Sequence, residues 1–259
     1  MIGKQQLFYL LKAPFVAPFL PLMAWQGKQI RKRVPRLPEA THPQGKISEG
    51  EGNPLVILGI GESTMAGVGV TTHTEGFMGS LASQLNKEID RPIDWQVVAK
   101  SGIKAAGVSH RLLPKLPAIT PDIIVIALGG NDAFALRSPK QWIQDIDQLI
   151  ASLHQRFGPH TPLVFCNMPP IRYFPAFTWL IRRIVGSLVD SYSHELHRHL
   201  AQQEGVYFNS ELVRLEQWRA RYQVDAPMDA LFSDGVHPAP LTYQLWGKDM
   251  AKFIQNRVF

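Results

Sequence analysis

The stretch LVILGIGESTMAGVGV, residues 55–70, leaves an apolar run through a glycine-rich turn that carries one serine. Gly59 and Gly61 allow the backbone to bend sharply and to approach another group closely. A serine in such a turn, here Ser63, can present its hydroxyl as a nucleophile above the end of a strand. A glycine-rich turn can also hold a phosphate, so the other residues of the chain must decide between these two chemistries.

Nucleotide binding requires residues that the sequence does not supply around this turn. The dinucleotide fingerprint needs a third glycine where Thr64 stands, and a P-loop needs a Gly-Lys-Ser/Thr run that is absent here. The next strand-like run ends in VVAK, without the acid that would bind a ribose hydroxyl. The sequence therefore disfavours a nucleotide and leaves Ser63 as a candidate nucleophile.

A serine nucleophile needs a base and an orienting acid, and both stand together near the C-terminus in SDGVHPAP. Asp234 and His237 are three residues apart, so the carboxylate can reach the imidazole from the same loop. The two prolines that follow stiffen this loop. His237 can then accept the serine proton while Asp234 holds the ring in the required tautomer.

Donors for an oxyanion are predicted at two further strand ends. Asn131 offers a side-chain amide in GGND, directly after DIIVIAL, and Gly102 offers a bare backbone N–H after WQVVA. The carboxyl ends of parallel strands meet at one edge of a sheet, where the sites of such folds form. These donors would complete a site for acyl transfer around Ser63.

Strand-like and helix-like runs alternate from residue 54 to the C-terminus. PLVILGI and TPLVFCNM are apolar enough for buried strands, and SPKQWIQDIDQLIASLHQRF has helical spacing with Ser138 as N-cap and Pro139 at the first helical position. This alternation predicts an α/β domain over residues 54–259, with a mostly parallel sheet covered on both faces. Residues 39–53, rich in Gly, Pro and polar side chains, are predicted to be a linker.

The order of these motifs resembles the SGNH (GDSL-type) hydrolase family, particularly its bacterial thioesterase and lysophospholipase-like branch. The four family blocks are matched by GESTMAG, SG, GGND and DGVHP, and the resemblance extends from Leu55 to the C-terminus. The sequence departs from the family pattern at Glu62, where the family usually has Asp before the serine. The resemblance implies a flavodoxin-like three-layer α/β/α sandwich with a mostly parallel five-stranded sheet.

The resemblance also implies a serine esterase that cleaves carboxylic esters or thioesters of acyl substrates through an acyl-enzyme. The roles it implies are Ser63 as nucleophile, His237 as base, Asp234 as orienting acid, and the Ser63 and Gly102 backbone N–H groups and the Asn131 side chain as oxyanion hole. No metal and no cofactor are expected. Asp132, next to Asn131, is expected to have a structural role.

The aromatic segment IRYFPAFTWLI, residues 171–181, follows a predicted strand end. Phe174, Phe177 and Trp179 are candidates for a wall or lid around an apolar acyl chain, with ordinary core packing as the alternative. The expected substrate is a small-molecule or lipid acyl ester. Two other functions remain open: an O-acetyl esterase or transferase acting on a carbohydrate, and a non-catalytic binding module with the same fold.

The net charge of +6 comes from the N-terminal segment and does not indicate nucleic-acid binding. Seven cationic residues precede the first acid, Glu39, so the remainder of the chain is nearly neutral; they are Lys4, Lys12, Lys28, Arg31, Lys32, Arg33 and Arg36. The apolar run LFYLLKAPFVAPFLPLMAW, residues 7–25, stands directly before most of these charges. Residues 1–38 are therefore predicted to form an apolar and basic extension.

This extension is predicted to lie on an anionic membrane surface. A signal peptide is disfavoured because the cationic cluster follows the apolar run and no small-x-small cleavage site is present. A membrane span is marginal because Lys12 and three prolines interrupt the run. The basic flank predicts a cytoplasmic, peripheral protein. The alternative is that the segment packs against the domain as a strap.

Two remaining features have structural interpretations. Cys166, the single cysteine, lies in PLVFC and is predicted to be a buried strand residue without thiol chemistry. The run HELHRH resembles a metal motif, but the histidine spacing of a zinc-protease helix is absent because residue 198 is Arg. A solvent-exposed helix face is the expectation for His194, His197 and His199.

Overall fold

The computed structural model describes residues 3–116 and 118–259 and confirms the three-layer α/β/α class. Its strands are β1 (Gln44–Ile47), β2 (Leu55–Gly61), β3 (Ile93–Ala99), β4 (Ile123–Ala127), β5 (Leu163–Phe165) and β6 (Val206–Phe208). Its α-helices are α1 (Lys4–Val16), α2 (Leu20–Arg33), α3 (Phe77–Ile89), α4 (Ala105–Arg111), α5 (Gly130–Phe134), α6 (Pro139–Phe157), α7 (Trp179–Leu200), α8 (Leu215–Arg221) and α9 (Pro240–Val258). The alternation read from the sequence is thus present.

The strands form one sheet with the order β1-β3-β2-β4-β5-β6. The pairs from β3 to β6 are parallel, whereas β1 is antiparallel to β3 at the edge. The sheet therefore has one strand more than the five predicted, and that strand lies inside the predicted linker. Gly45 explains why this strand was not predicted. A Cβ on Gly45 would lie 2.4 Å from the ring of Trp95, so the position requires glycine and lacks the apolar side chain by which a strand is recognised in a sequence.

Two apolar cores cover the two faces of the sheet. In β4, Ile124 and Ile126 belong to the core formed with α4, α6 and α7, while Ile123 and Val125 belong to the core formed with α3 and α9. All five residues of β4 are buried, as expected for a central parallel strand. Helix α6 begins as predicted, because the Ser138 side chain accepts a hydrogen bond from the Gln141 N–H.

The N-terminal helices α1 and α2 pack one side against the domain. Tyr9, Met23 and Ile30 are half-buried against the core that includes residues of α6 and α7. The Tyr9 hydroxyl donates a hydrogen bond to the Leu136 carbonyl (2.8 Å). The segment therefore has a packed inner face, in addition to the surface role that its composition predicts.

The outer side of the same segment is apolar and exposed. Nine of the thirteen large apolar side chains exposed in the described residues lie between Leu7 and Trp25. By length and composition, Lys4–Arg33 is a helical segment capable of crossing a membrane, and only 6% of its most apolar part is buried. A signal sequence near an N-terminus has the same properties. If residues 1–38 only packed against the domain, this exposed apolar face would have no explanation.

Candidate active site

Two glycines of β2 precede the turn that carries Ser63, and at each of them a side chain would collide with a neighbouring group. A Cβ on Gly61 would lie 2.5 Å from the Ala127 carbonyl oxygen, and one on Gly59 would lie 2.8 Å from the sulfur of Met65. Bare backbone at both positions lets the turn fold back tightly over the end of the sheet. Ser63, half-buried, follows two residues after Gly61 at this edge.

Asp234 and His237 form the pair that the sequence predicts. Asp234 Oδ2 lies 2.7 Å from His237 Nδ1, and Asp234 Oδ1 accepts the backbone N–H groups of Val236 (2.9 Å) and His237 (2.7 Å). Burial alone would raise the pKa of Asp234, but the hydrogen bonds from His237 and Val236 outweigh it and hold that pKa below its ordinary value. The carboxylate therefore stays ionised beside the ring.

The His237 loop is fastened to the Ser63 turn. The Ser233 hydroxyl donates to the Gly69 carbonyl (2.9 Å), and the hydroxyl of Tyr243, on α9, donates to the Val68 carbonyl (2.7 Å). Ser63 and His237 line one cavity of about 920 Å³. No hydrogen bond joins them in the described residues, and such catalytic contacts often tighten only when substrate binds.

The predicted oxyanion donors differ in whether they already donate a hydrogen bond to a protein acceptor. Gly102 adopts φ +79°, and a Cβ there would meet nothing within 4 Å, so its backbone borders open space in the same cavity. Within the part of the chain that the structure describes, no acceptor binds the N–H of Gly102 or of Ser63. The Asn131 Nδ2 group also lines the cavity, but it donates to Glu62 Oε2 (2.6 Å) and to the Ile103 carbonyl (3.0 Å).

Glu62 is a functional-site residue whose part the sequence did not reveal. Its carboxylate is buried and accepts three hydrogen bonds from the loop after β4: Gly130 N–H (2.9 Å), Asn131 N–H (3.0 Å) and Asn131 Nδ2 (2.6 Å). Burial raises the pKa of Glu62 to about 7, although the hydrogen bonds from Asn131 and Gly130 oppose this shift. Glu62 thus positions Asn131, and the departure from the usual Asp was the only signal in the sequence.

Asp132 connects two of the site loops. It is fully buried, and its Oδ2 accepts the Ala105 N–H (3.0 Å), which ties the loop after β4 to the start of α4. Burial raises the pKa of Asp132 to about 6. These contacts agree with the structural role expected from the sequence.

The raised pKa of Glu62 predicts a pH-dependent loss of stability that Glu62→Gln removes. Below pH 4.5 the carboxyl is protonated in both the folded and the unfolded chain. Between pH 4.5 and about 7 only the unfolded chain releases the proton, so the free energy of unfolding falls by roughly 3 kcal/mol as pH rises, and the loss stays constant above pH 7. Glu62→Gln lacks this loss, so its stability relative to wild type should increase from pH 4.5 to pH 8.

Urea unfolding of both proteins across this pH range measures the difference. Asp132 is present in both proteins and its raised pKa contributes to both curves, but its charge also raises the pKa of Glu62, so the difference between the curves includes that coupling. Parallel stability curves for wild type and Glu62→Gln would show that the Glu62 carboxyl does not carry the raised pKa.

The aromatic segment contributes to the cavity in part. Phe174 and Phe177 line it, whereas Trp179 does not and its side chain is 68% exposed. The structure therefore places two of the three aromatic candidates in the cavity that Ser63 also lines and leaves Trp179 at the surface. One wall of the cavity comes from α2, which includes Met23 and Ile30 and was not anticipated from the sequence.

Cys166 and two of the three histidines on α7 lie as the sequence predicts, whereas His199 is half-buried. Cys166 is buried, and burial raises the pKa of its thiol. His194 and His197 are exposed on α7, and His199 pairs with Asp147 (2.6 Å). Among residues 3–116 and 118–259, no group of His, Cys, Asp and Glu is arranged to hold a metal ion.

Solved structures share this fold at low sequence identity. A GDSL-like lipase from Parabacteroides merdae has a TM-score of 0.59 at 18% identity, covering 81% of this chain and 99% of that chain. A crystal structure of TesA has a TM-score of 0.54 at 21% identity, covering 78% of this chain and 98% of that chain. A family two carbohydrate esterase from Clostridium thermocellum has a TM-score of 0.55 at 16% identity, covering 80% and 65%. These likenesses show the fold.

Sequence comparison gives the family. Esterase TesA of Pseudomonas aeruginosa is 31% identical over 137 residues, or 51% of this chain, and the match spans 64% of the length of that curated relative. The profile of the GDSL-like Lipase/Acylhydrolase family matches residues 60–245, which is well over half of the chain. The match begins just before Ser63 and ends after His237. The chain therefore belongs to the GDSL-like lipase/acylhydrolase family, as the order of its motifs predicted.

Proposed function

We propose that the protein is a serine hydrolase that cleaves carboxylic esters or thioesters of acyl substrates through an acyl-enzyme intermediate. The observation that carries this proposal is the 2.7 Å Asp234–His237 pair, whose imidazole lines the same cavity as Ser63. A nucleophile, a base and an orienting acid at one edge of the sheet are the parts that acyl transfer requires.

In this mechanism His237 Nε2 takes the proton of the Ser63 hydroxyl as Oγ attacks the substrate carbonyl carbon. The tetrahedral intermediate collapses, the C–O or C–S bond to the leaving group breaks, and the imidazolium gives its proton to the leaving oxygen or sulfur. Water then attacks the acyl-enzyme with His237 as base, which releases the acid and restores Ser63. The ionised Asp234 stabilises the imidazolium in both halves.

The oxyanion of each tetrahedral intermediate is bound by the Ser63 and Gly102 N–H groups and by Asn131 Nδ2. Each such donor is worth roughly 2.7–4 kcal/mol in the transition state. The two backbone donors are unoccupied by protein acceptors in the described residues. For Asn131 to contribute, its amide must exchange the Ile103 carbonyl for the oxyanion, while Glu62 retains its other hydrogen bond.

An apolar acyl group fits the cavity better than a carbohydrate does. Away from the triad most of the lining is apolar or aromatic, with Phe134, Phe174, Phe177, Ile181 and Val185 among its members, and Arg31 and Arg36 are its cationic exceptions. Sugar binding relies on hydrogen-bonding groups along the wall, and the apolar and aromatic side chains supply none. This composition favours an acyl ester over the O-acetylated carbohydrate that the sequence left open.

Turnover of p-nitrophenyl esters from acetate to decanoate, alongside an acetylated sugar and a lysophospholipid, tests the proposal. Acid quenching during turnover followed by mass spectrometry should find the mass of one acyl group added at Ser63. Preference for the acetylated sugar would identify the carbohydrate esterase, and binding without turnover of any ester would identify a non-catalytic module.

Residues 1–38 are proposed to hold the enzyme on an anionic membrane surface at the cytoplasmic side. The exposed apolar face between Leu7 and Trp25 provides the area that inserts, and the cationic residues from Lys28 to Arg36 follow it directly. Two more cations, Arg172 and Arg183, line a small cavity under α1 together with Lys12. Burial is the main cause that lowers the pKa of Lys12, and the positive charges of the two arginines lower it further. Apolar area and positive charge together are the requirements for surface binding.

Substitution on the exposed face should release the protein from vesicles. Phe15 is 77% exposed and Trp25 58% exposed, so Phe15→Ser and Trp25→Ser should each weaken binding to vesicles of anionic phospholipid by roughly tenfold or more. The control is Phe259→Ser, because that side chain is 61% exposed but lies at the other end of the chain. Vesicle sedimentation measures the effect. Equal loss in all three variants, or no binding by wild type, would contradict a docking face.

A further inference from the structure

Helix α2 forms one side of the cavity that contains Ser63. Its lining positions include Leu20, Met23, Gly27 and Ile30. They are three or four residues apart, so they lie along a single face of the helix. This helix precedes residues 60–245, the part that matches the family, so the wall is a feature of this chain beyond the family core.

The lining face of α2 is held in place by contacts with the domain. Met23 and Ile30 pack against the core that includes Val185 of α7. The Thr178 hydroxyl donates to Gln26 Oε1 (2.7 Å), which ties α2 to the residue that caps α7. The cavity beneath α2 is therefore bounded by packed elements on both sides.

Gly27 leaves a gap in this wall. A Cβ at that position would meet nothing within 4 Å, so packing does not require glycine there. Glycine inside a helix destabilises it by roughly 0.5–1 kcal/mol relative to alanine. Gly27 therefore leaves open space on the face of α2 that lines the cavity, at some cost to the stability of the helix.

We propose that α2 is the outer wall of the acyl-binding site and that the acyl chain of the substrate lies in the gap at Gly27, between α2 and α7. This inference rests on the proposed esterase function and names its substrate class, esters of apolar acyl chains long enough to extend from Ser63 to α2. Phe177 and Ile181 line the same cavity and supply apolar contacts. Each methylene buried there should raise kcat/KM by roughly fourfold.

Filling the gap tests this assignment. Gly27→Leu places an apolar side chain where the acyl chain lies, so the ratio of kcat/KM for p-nitrophenyl decanoate to that for p-nitrophenyl acetate should fall at least tenfold. Gly27→Ala adds only a methyl group; it should raise Tm and lower the ratio by less than Gly27→Leu does. The matched control is Gln29→Leu, which adds the same side chain to α2 at a position outside the cavity lining; its ratio should equal that of wild type.

The outcomes separate this inference from the proposed function. Graded ratios, with wild type above Gly27→Ala and Gly27→Leu lowest, support the wall. Equal ratios in wild type and both Gly27 variants, or an equal fall in Gln29→Leu, overturn it even if every protein cleaves acetate. Absence of acetate turnover and of acylated Ser63 in wild type would instead remove the esterase proposal itself. Should Gly27→Leu fail to fold, Gly27→Ala against Gln29→Leu still decides.

Discussion

Ser63→Ala is expected to lose esterase activity by roughly 10⁴–10⁶-fold, because removing the nucleophile leaves only the binding and oxyanion contributions. Folding should be unchanged, since the Ser63 hydroxyl is half-buried and takes part in no hydrogen bond in the described residues. The measurements are initial rates on a short ester, thermal unfolding, and covalent labelling by a fluorophosphonate, which reacts with activated serines.

The control for this variant is Ser101→Ala, because Ser101 is an exposed serine that lines the same cavity. Labelling should disappear in Ser63→Ala and persist in Ser101→Ala. Full labelling of Ser63→Ala would show that another residue is the nucleophile. A loss of labelling in Ser101→Ala instead would assign that role to Ser101.

The positions of Ser63, Gly102 and Asn131 could be predicted because each follows a strand of the parallel part of the sheet. β2 and β4 are apolar and almost fully buried, β3 alternates buried apolar residues with half-buried ones, and the carboxyl ends of all three must meet at one edge of the sheet. That geometry brings Ser63, Gly102 and Asn131 to one cavity without any knowledge of loop shape. The Asp-x-x-His spacing needed only one loop, which is why the Asp234–His237 contact was predictable as well.

The features that the sequence concealed depend on contacts between distant segments. β1 is an edge strand of four residues, and its pairing with β3 cannot be read from QGKI alone. The apolar run before Lys28 is hydrophobic on all sides, so no periodicity separates the face that packs from the face that stays exposed. Trp179 was grouped with Phe174 and Phe177 by proximity in sequence, but as the first residue of α7 it lies at the surface.

The contacts of Glu62 could not be predicted from the sequence either, although Glu62 differs from the usual Asp by only one methylene group. The sequence identifies the departure from Asp, but only the fold shows that the longer side chain reaches Asn131 Nδ2 as well as two backbone N–H groups. A carboxylate at 2.6 Å holds the amide and also competes with an oxyanion for it. The contribution of Asn131 is therefore the part of the proposed mechanism that depends most on the protonation state of Glu62.

Asp234→Asn is expected to lower kcat by roughly 10⁴-fold while the fold is retained. The Asn oxygen can still accept the N–H groups of Val236 and His237, so the loop keeps both backbone contacts. Its amide nitrogen then takes the place of Oδ2, 2.7 Å from His237 Nδ1. An amide N–H facing Nδ1 favours the tautomer that carries its proton on Nε2, and this tautomer cannot accept the proton of Ser63.

The matched control is Asp132→Asn, which makes the same change at a buried carboxyl one residue after Asn131. Among the described residues the Asp132 carboxylate accepts a hydrogen bond only from the Ala105 N–H, and an Asn oxygen can keep that bond. Its kcat should stay within about tenfold of wild type, and thermal unfolding should show both variants folded. Fluorophosphonate labelling of Asp234→Asn should slow in parallel with kcat, because activation of the serine hydroxyl depends on the same tautomer. A loss of less than tenfold in Asp234→Asn, with the protein folded, would mean that His237 is oriented by another group and that Asp234 only shapes the loop.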